Sequence, residues 1–312
     1  MMWRPDVDSN SWDPTHLPHQ RGKTFVVTGG NSGVGYFISE QLAVAGARIV
    51  LASRSPHKAD VAARSIRAHA SEAEIGIVRL DLSSLTSIHS AAEELRRFAP
   101  FDGLIHNAGV SGPREREVTQ DGLELITATN AFGPFALTAL SLHSLSPQGR
   151  IVSLGSMSTR LVRLDPSNLQ SDRGRYRPFR AYGYSKHALH AFAFELQRRL
   201  SAAGSGIESL LAHPGSAVDV KSERRPGIND GRKPSDYLSA IMAQGKDRGA
   251  WPVVRAAVDP DAKGGQFYGP HRGITGRPVL VQPVAASASE EFGQDFWRQA
   301  EAATGITFDL GQ

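Results

Sequence analysis

The sequence predicts an α/β fold: a doubly wound parallel sheet in three layers, α/β/α, forming a single domain. Three observations predict it. Short apolar runs recur at 24–28, 48–53, 75–80, 103–106, 150–154 and 206–212, separated by longer stretches of helical periodicity. Strand alternating with helix in this way builds a parallel sheet covered on both faces. The first run passes directly into Thr28-Gly29-Gly30-Asn31-Ser32-Gly33-Val34-Gly35, a glycine bend that opens an amphipathic stretch. No internal repeat or low-complexity tract competes with this pattern.

Taken in order, the strand at 24–28 ends in the glycine bend. Residues without Cβ turn sharply there, let a phosphate approach main-chain N–H groups, and let the next helix, 33–45, pack close on its strand. Glycine bends also arise for purely steric reasons, so the loop alone decides nothing. Later strands are followed by helices predicted over 55–73, 86–98, 122–144 and 180–203, with Ser, Thr or Asp residues at hand for capping. Right-handed crossovers in this order place the ligand crevice beyond the strand C-termini.

Beyond Pro214 the alternation breaks down. Residues 221–233 carry charges with Pro226, Gly227 and Gly231, and an amphipathic segment with Tyr237, Leu238, Ile241 and Met242 follows. This reads as an insertion within the domain, a substrate lid around 216–250. A last short strand is predicted at 265–268 and a closing helix at 290–304. Pro5, Pro14 and Pro18 among polar residues predict a flexible arm over 1–20, leaving 21–312 as the domain. Trp3 and Trp12 either pin that arm to a surface or move with it.

Composition narrows the function. A chain of 312 residues, 40% hydrophobic and 21% charged, is ordinary for a globular protein. The excess of 35 Lys and Arg over 31 Asp and Glu, a net +4, can assist a phosphorylated ligand but does not argue for nucleic acid. There is no cysteine, which excludes disulfides, zinc–thiolate sites and cysteine nucleophiles and predicts a reducing, cytoplasmic setting. The first residues lack a signal-peptide layout, and no apolar run approaches membrane-spanning length, so no membrane span is expected.

Arg54 follows the second run, where dinucleotide-binding folds place the residue that meets the adenosine ribose. An acidic residue would accept from a 2′-hydroxyl, whereas Ser53 and Arg54 suit a 2′-phosphate, so NADP(H) is preferred over NAD(H). Lys58 either adds charge there or is a solvated helix lysine. Asp81 and Leu82 close the third strand; Asp81 either meets the adenine amino group or caps the next helix. Asn107-Ala108-Gly109 ends the fourth strand, small enough to admit a cofactor edge and equally readable as a turn.

Tyr182 and Lys186 lie four apart in a helical segment, so both project from one face. A free phenol titrates near ~10, and bringing it close to neutral pH takes about 4 kcal/mol of preference for the phenolate. Lys186 and a nicotinium charge are candidate sources of that preference. Tyr184 points across the helix. Ser156 follows the fifth strand and can donate to a substrate carbonyl, with Ser153, Ser158 and Thr159 as rivals. Asn130, a poor helix former inside 122–144, has either a buried polar task or a solvent face. The histidines, including His106, His187 and His213, show no metal-ligand spacing. Asp259, Asp261 and Lys263 read as a solvated turn.

Together, the run from Thr28 to Gly35, Asn107-Ala108-Gly109, Asn130, Ser156, Tyr182 with Lys186, and Pro214-Gly215 resemble the short-chain dehydrogenase/reductase superfamily in order and spacing. The resemblance covers about Lys23 to Gly215. Asn31-Ser32, Ser53-Arg54 and the tail from Gly265 through Trp297 look like its retinol dehydrogenase and protochlorophyllide reductase branch. What the resemblance implies is a Rossmann fold that moves hydride between NADP(H) and a carbonyl or alcohol substrate, in which Tyr182 is the general acid or base and Ser156 holds the substrate oxygen. It further implies that Lys186 binds the nicotinamide ribose and lowers the Tyr182 pKa, that Asn130 holds a water linking Lys186 to solvent, and that the helices at 122–144 and 180–203 form a homodimer or homotetramer.

Two departures stand out. After Pro214-Gly215 the family usually has a Thr that meets the nicotinamide amide or a phosphate; here the run is Ser216-Ala217-Val218-Asp219-Val220. Ser216 is the expected substitute, with Asp219 turned away from the phosphates. At Gly155, where Ser is common, the missing side chain is expected to leave Ser156 intact and to free local space. The alternatives to an oxidoreductase are a non-redox isomerase, dehydratase or aldol-type enzyme on the same scaffold, and an NADP-sensing binding protein. For the substrate, Tyr237, Leu238, Ile241, Met242 and Trp251 line an apolar lid over a lipophilic molecule or form the core face of a helix. Lys221, Arg224, Arg225, Arg232 and Lys233 attract an anionic substrate or are a solvated loop.

Overall fold

The computed structural model describes residues 12–230 and 240–310. Trp3, Pro5, Gly231, Arg232, Lys233, Tyr237 and Leu238 therefore lie outside the described residues. Eight strands form one sheet in the order β10-β9-β6-β5-β4-β1-β2-β3. Its first half is β1 (Thr24–Thr28), β2 (Arg48–Ser53), β3 (Ile75–Arg79) and β4 (Phe101–His106). Then come β5 (Leu145–Leu154) and β6 (Glu208–Ala212). The pairings from β3 across to β9 are parallel. The edge hairpin departs from the expected parallel pattern: β9 (Phe267–Pro270) pairs antiparallel with β10 (Pro278–Leu280). A separate pair, β7 (Ala217–Val218) with β8 (Gln244–Gly245), ties the two ends of the insertion together.

Both sheet faces are covered, which makes a Rossmann fold. On one face lie α1 (Gly33–Val44), α2 (Pro56–Arg67) and α6 (Trp251–Val258), whose apolar residues share a core with Val27, Leu51 and Ile105. On the other lie α3 (Leu85–Leu95), α4 (Leu125–Ser144), α5 (Pro178–Ala202) and α7 (Glu290–Thr304). There Phe132, Phe135, Phe192, Phe296 and Trp297 pack as a cluster of stacked and edge-on rings. Capping sets several helix starts: Ser55 accepts from Lys58 N with Pro56 in the first turn, Ser84 accepts from Ser87 N, and Ser289 accepts from Phe292 N. Ser84, not Asp81, thus caps α3.

β1 stands between β2 and β4, where the winding reverses, so the crevice opens beyond the C-termini of β1 and β4. Both chain turns flagged in the sequence, the glycine bend and Asn107-Ala108-Gly109, sit at that point.

Four expectations are corrected. Leu125–Ser144 is long and apolar enough to span a membrane by length and composition, with mean hydropathy 1.3, contrary to the expectation that no run comes near. Of that window 83% is buried inside the protein, so packing on all sides accounts for its apolarity. From Trp12 onward the arm is packed rather than loose: Trp12 and Leu17 join the α1-side core, and Gln20 N donates to Ala45 O. Asp259 is no solvated residue, because it is buried and bonded to Arg255 at 2.9 Å. Arg225 is likewise held by the buried Glu40, at 2.6 Å, rather than solvated.

Candidate active site

The glycine bend is built by backbone geometry. Gly33 adopts φ +59°, a left-handed conformation that favours glycine, and begins α1. A Cβ at Gly35 would fall 2.2 Å from Asn107 Nδ2 and 2.4 Å from Gly29 O. No side chain fits there. Asn107 braces the bend, donating from Nδ2 to Thr28 O at 2.9 Å, while Thr28 Oγ1 accepts from Asn107 N and Ala108 N. The Asn107 amide thus holds the two chain turns together.

A cleft of ≈ 480 Å³ opens over the bend. Gly29, Asn31, Ser32, Gly33, Val34, Ser53, Arg54, Asp81, Leu82, Asn107, Ala108 and Gly109 all border it. Ser53 donates to Asn31 Oδ1 at 2.8 Å, and Arg54 is exposed beside it. Asp81 Oδ1 accepts from Ser83 N and Oγ, which fixes its turn. Val110, Thr129 and Lys246 also border the cleft and were not singled out from the sequence; Lys246 arrives from more than 200 positions away, where no local pattern marks it.

Pro214, Gly215 and Ser216 do not line this cleft. Pro214 O accepts from Gln244 Nε2, Ser216 N donates to Ile274 O, and Ser216 O accepts from Gln244 N, so this run fastens the base of the insertion. A larger cavity, ≈ 1310 Å³, is lined by Trp12, Ile241, Met242, Trp251, His271 and Arg277 among others, and borders none of Asn130, Ser156, Tyr182 and Lys186. Ile241 and Met242 are exposed, which removes the core-face reading for those two.

The candidate catalytic residues lie next to Leu154 and Gly109, which are on the cleft wall; none of the four lines the cleft itself. The Ser156 hydroxyl lies near enough to the Tyr182 phenol to lower its pKa. Ser156 Oγ accepts from Ser158 N at 3.1 Å, which fixes the oxygen and leaves its proton to donate. Thr159 Oγ1 donates to Ser156 O and Ser158 N donates to Ser156 Oγ, so these two rivals support Ser156, while Ser153 is fully buried in β5. Tyr184 is buried in the core below.

Lys186 is 3% exposed, and its Nζ donates to Leu154 O at 2.8 Å and lies 5.8 Å from the Tyr182 ring centroid. Burial pushes the Lys186 ammonium down to about 8. Burial also raises the Tyr182 pKa, and the Ser156 hydroxyl pulls it back.

Asn130 is fully buried, which removes its solvent-facing reading. It sits in a π-helical turn, Ala128–Phe132, inside α4. Such a turn re-aims a side chain without ending the helix. Asn130 Oδ1 accepts from Val110 N at 2.8 Å, and Nδ2 donates to Val110 O and Ser185 Oγ. Its Oδ1 would lie 3.1 Å from a Cβ at Gly109, and Lys186 Nζ 3.6 Å from it, so both groups converge on Gly109.

Gly155 corrects another expectation, because its space is filled. The His190 ring occupies it, with Nε2 2.4 Å from where a Cβ would be, and Nε2 accepts from Ser156 N at 3.3 Å. Burial, then His187 and Lys186, hold His190 well below the usual histidine range and keep it neutral. His187 is structural, bonded to Ser287 Oγ and Val162 O. Among the described residues no cluster of His, Cys, Asp or Glu could hold a metal.

The cleft fits a dinucleotide. Ser32, which precedes α1, makes no side-chain cap, so the first-turn N–H groups are open to a phosphate, and the cationic side chains on the wall are Arg54, Lys58 and Lys246.

Comparison with known proteins agrees. The short chain dehydrogenase family matches residues 23–223. Mouse polyprenol dehydrogenase is 32% identical over 94% of this chain and 87% of its own length. Human retinol dehydrogenase 13 is 32% identical over 91% of this chain and 85% of its own. A structure titled as a putative uncharacterized protein from Mycobacterium paratuberculosis superposes with TM-score 0.79 at 33% identity, covering 96% of this chain and 99% of that one.

Proposed function

The chain belongs to the short-chain dehydrogenase family, in the branch of the retinol dehydrogenases, and we propose that it moves hydride between NADP(H) and a small lipophilic alcohol or carbonyl compound. One observation carries the reading: Lys186, buried a helical turn after Tyr182, sets its Nζ 5.8 Å from the Tyr182 ring, and the Ser156 hydroxyl lies near enough to the phenol to lower its pKa. When bound, the dinucleotide supplies the hydride donor or acceptor. Ser156, its oxygen fixed by Ser158 N, donates to the substrate oxygen, and Tyr182 gives that oxygen a proton in reduction or takes it in oxidation. Lys186 spends one N–H on Leu154 O and keeps the others for ribose hydroxyls. Asn130 retains acceptor capacity on Oδ1 for the water that links Lys186 to solvent.

Arg54, exposed at the end of β2 with Lys58 nearby on the cleft wall, supports NADP(H) over NAD(H). The polyprenol and retinol named for the relatives support a lipophilic substrate.

The test is turnover of long-chain and aromatic alcohols and their carbonyl forms with NADP(H), followed by nicotinamide absorbance. Tyr182→Phe should lower kcat by roughly 10²- to 10⁴-fold while the NADPH Kd stays unchanged. Turnover with no absorbance change would move the chain to the non-redox reading. A cellular activity that survives Tyr182→Phe would move it to the binding-protein reading.

A further inference from the structure

The segment that follows Pro214-Gly215 brings two opposite charges to the glycine bend. β7 and β8 pair in register, Ala217 with Gln244 and Val218 with Gly245, so the next residues, Asp219 and Lys246, emerge side by side. Lys246 Nζ bonds Asp219 Oδ2 at 2.6 Å, and the two side chains are 23% and 39% exposed. The same Nζ lies 3.7 Å from where a Cβ on Gly33 would be, over the uncapped start of α1. The backbone of Lys246 is held in place, its N–H donating to Ser222 Oγ at 2.8 Å.

A dinucleotide brings two separate groups of negative charge. Arg54 and Lys58, beside the start of α2, are placed for a ribose 2′-phosphate. Lys246 is the cleft cation at the glycine bend, where the pyrophosphate must approach the N–H groups of α1. We propose that Lys246 is this chain's pyrophosphate ligand, handed from Asp219 to the phosphate oxygens when the dinucleotide binds. The Asp219 carboxylate holds the ammonium over Gly33 beforehand and competes for it afterwards. The inference rests on the dinucleotide reading above, and the test separates the two.

The experiment is titration of the full chain with NADPH and with NADH, read by nicotinamide fluorescence. Lys246→Met should raise both Kd values by roughly tenfold, since both dinucleotides carry the same pyrophosphate. Lys246→Arg should retain most of the affinity, and Asp219→Asn should tighten both by about threefold. The double variant Lys246→Met with Asp219→Asn should remain weaker than Asp219→Asn alone. Thermal midpoints without dinucleotide check that each variant folds, and Lys246→Gln replaces Lys246→Met, alone and in the double variant, if it does not. A double variant that binds as tightly as Asp219→Asn alone would overturn the inference, because Lys246 would then only mask Asp219. Loss of NADPH affinity alone, or no loss, would overturn it too. A wild-type chain that binds neither dinucleotide would overturn the reading beneath it.

Discussion

Restoring the serine common in the family at position 155 should damage this protein. A Cβ there falls 2.4 Å from His190 Nε2 and 3.1 and 3.3 Å from the adjacent ring carbons. The ring has little room to yield: it is fully buried, packs edge-on against Phe267 at 5.1 Å between centroids, and accepts Ser156 N on the facing nitrogen. Overpacking of this kind costs about 1–3 kcal/mol. His190→Ala alone should cost about 2–4 kcal/mol, from the cavity and from the Ser156 N–H left without its acceptor. In the double variant the serine occupies space the ring has vacated. The combined loss should therefore fall short of the sum by about 1 kcal/mol or more. Urea unfolding of the four proteins, followed by circular dichroism, measures the cycle. Losses that add to within about 0.5 kcal/mol would show that the two positions do not compete for one volume. Activity should track the same coupling, since moving the 155–156 backbone moves the Ser156 hydroxyl.

Three further outcomes are expected. Arg54→Ala should weaken NADPH roughly tenfold and leave NADH within about twofold, measured by fluorescence titration; equal losses would remove Arg54 from the 2′-phosphate. Asp259→Ala should cost about 3–5 kcal/mol of unfolding free energy, because it strands the buried Arg255 guanidinium, and a loss below about 1 kcal/mol would mean that solvent reaches that cation. Burial lowers Lys186 from 10.5 to about 8, so between those pH values the unfolded chain holds a proton that the native chain has released, and stability rises with pH across the window. The desolvation penalty is complete below pH 8. The stability advantage of Lys186→Met over wild type should thus shrink by on the order of 2 kcal/mol between pH 7.5 and 10, and an advantage independent of pH would contradict a buried ammonium.

Much of the candidate site was legible because its parts are local. Tyr182 and Lys186 share a helix face at four-residue spacing, and the glycine bend and Asn107-Ala108-Gly109 each follow directly on the strand that positions them. Apolar runs at the period of strands, between stretches at the period of helices, were enough for the layers and the place of the crevice. Asn130 was visible only as an anomaly, a poor helix former mid-helix. The π-helical turn that aims it at Val110 and Ser185 depends on neighbours from two other parts of the chain.

By itself, then, the sequence determined the alternation of elements, the phosphate bend and the phenol–ammonium pair, because each depends on residues within a turn or a strand of one another. Tertiary structure alone decided that His190 fills the space beside Gly155, that Arg255 and Asp259 form a buried pair instead of a solvated turn, and that Lys246 meets Asp219 over Gly33. It also decided that the most apolar helix is a core element. Volume exclusion and desolvation act between surfaces that meet only when the sheet is assembled, and no periodicity along the chain records which side chain will occupy a given space.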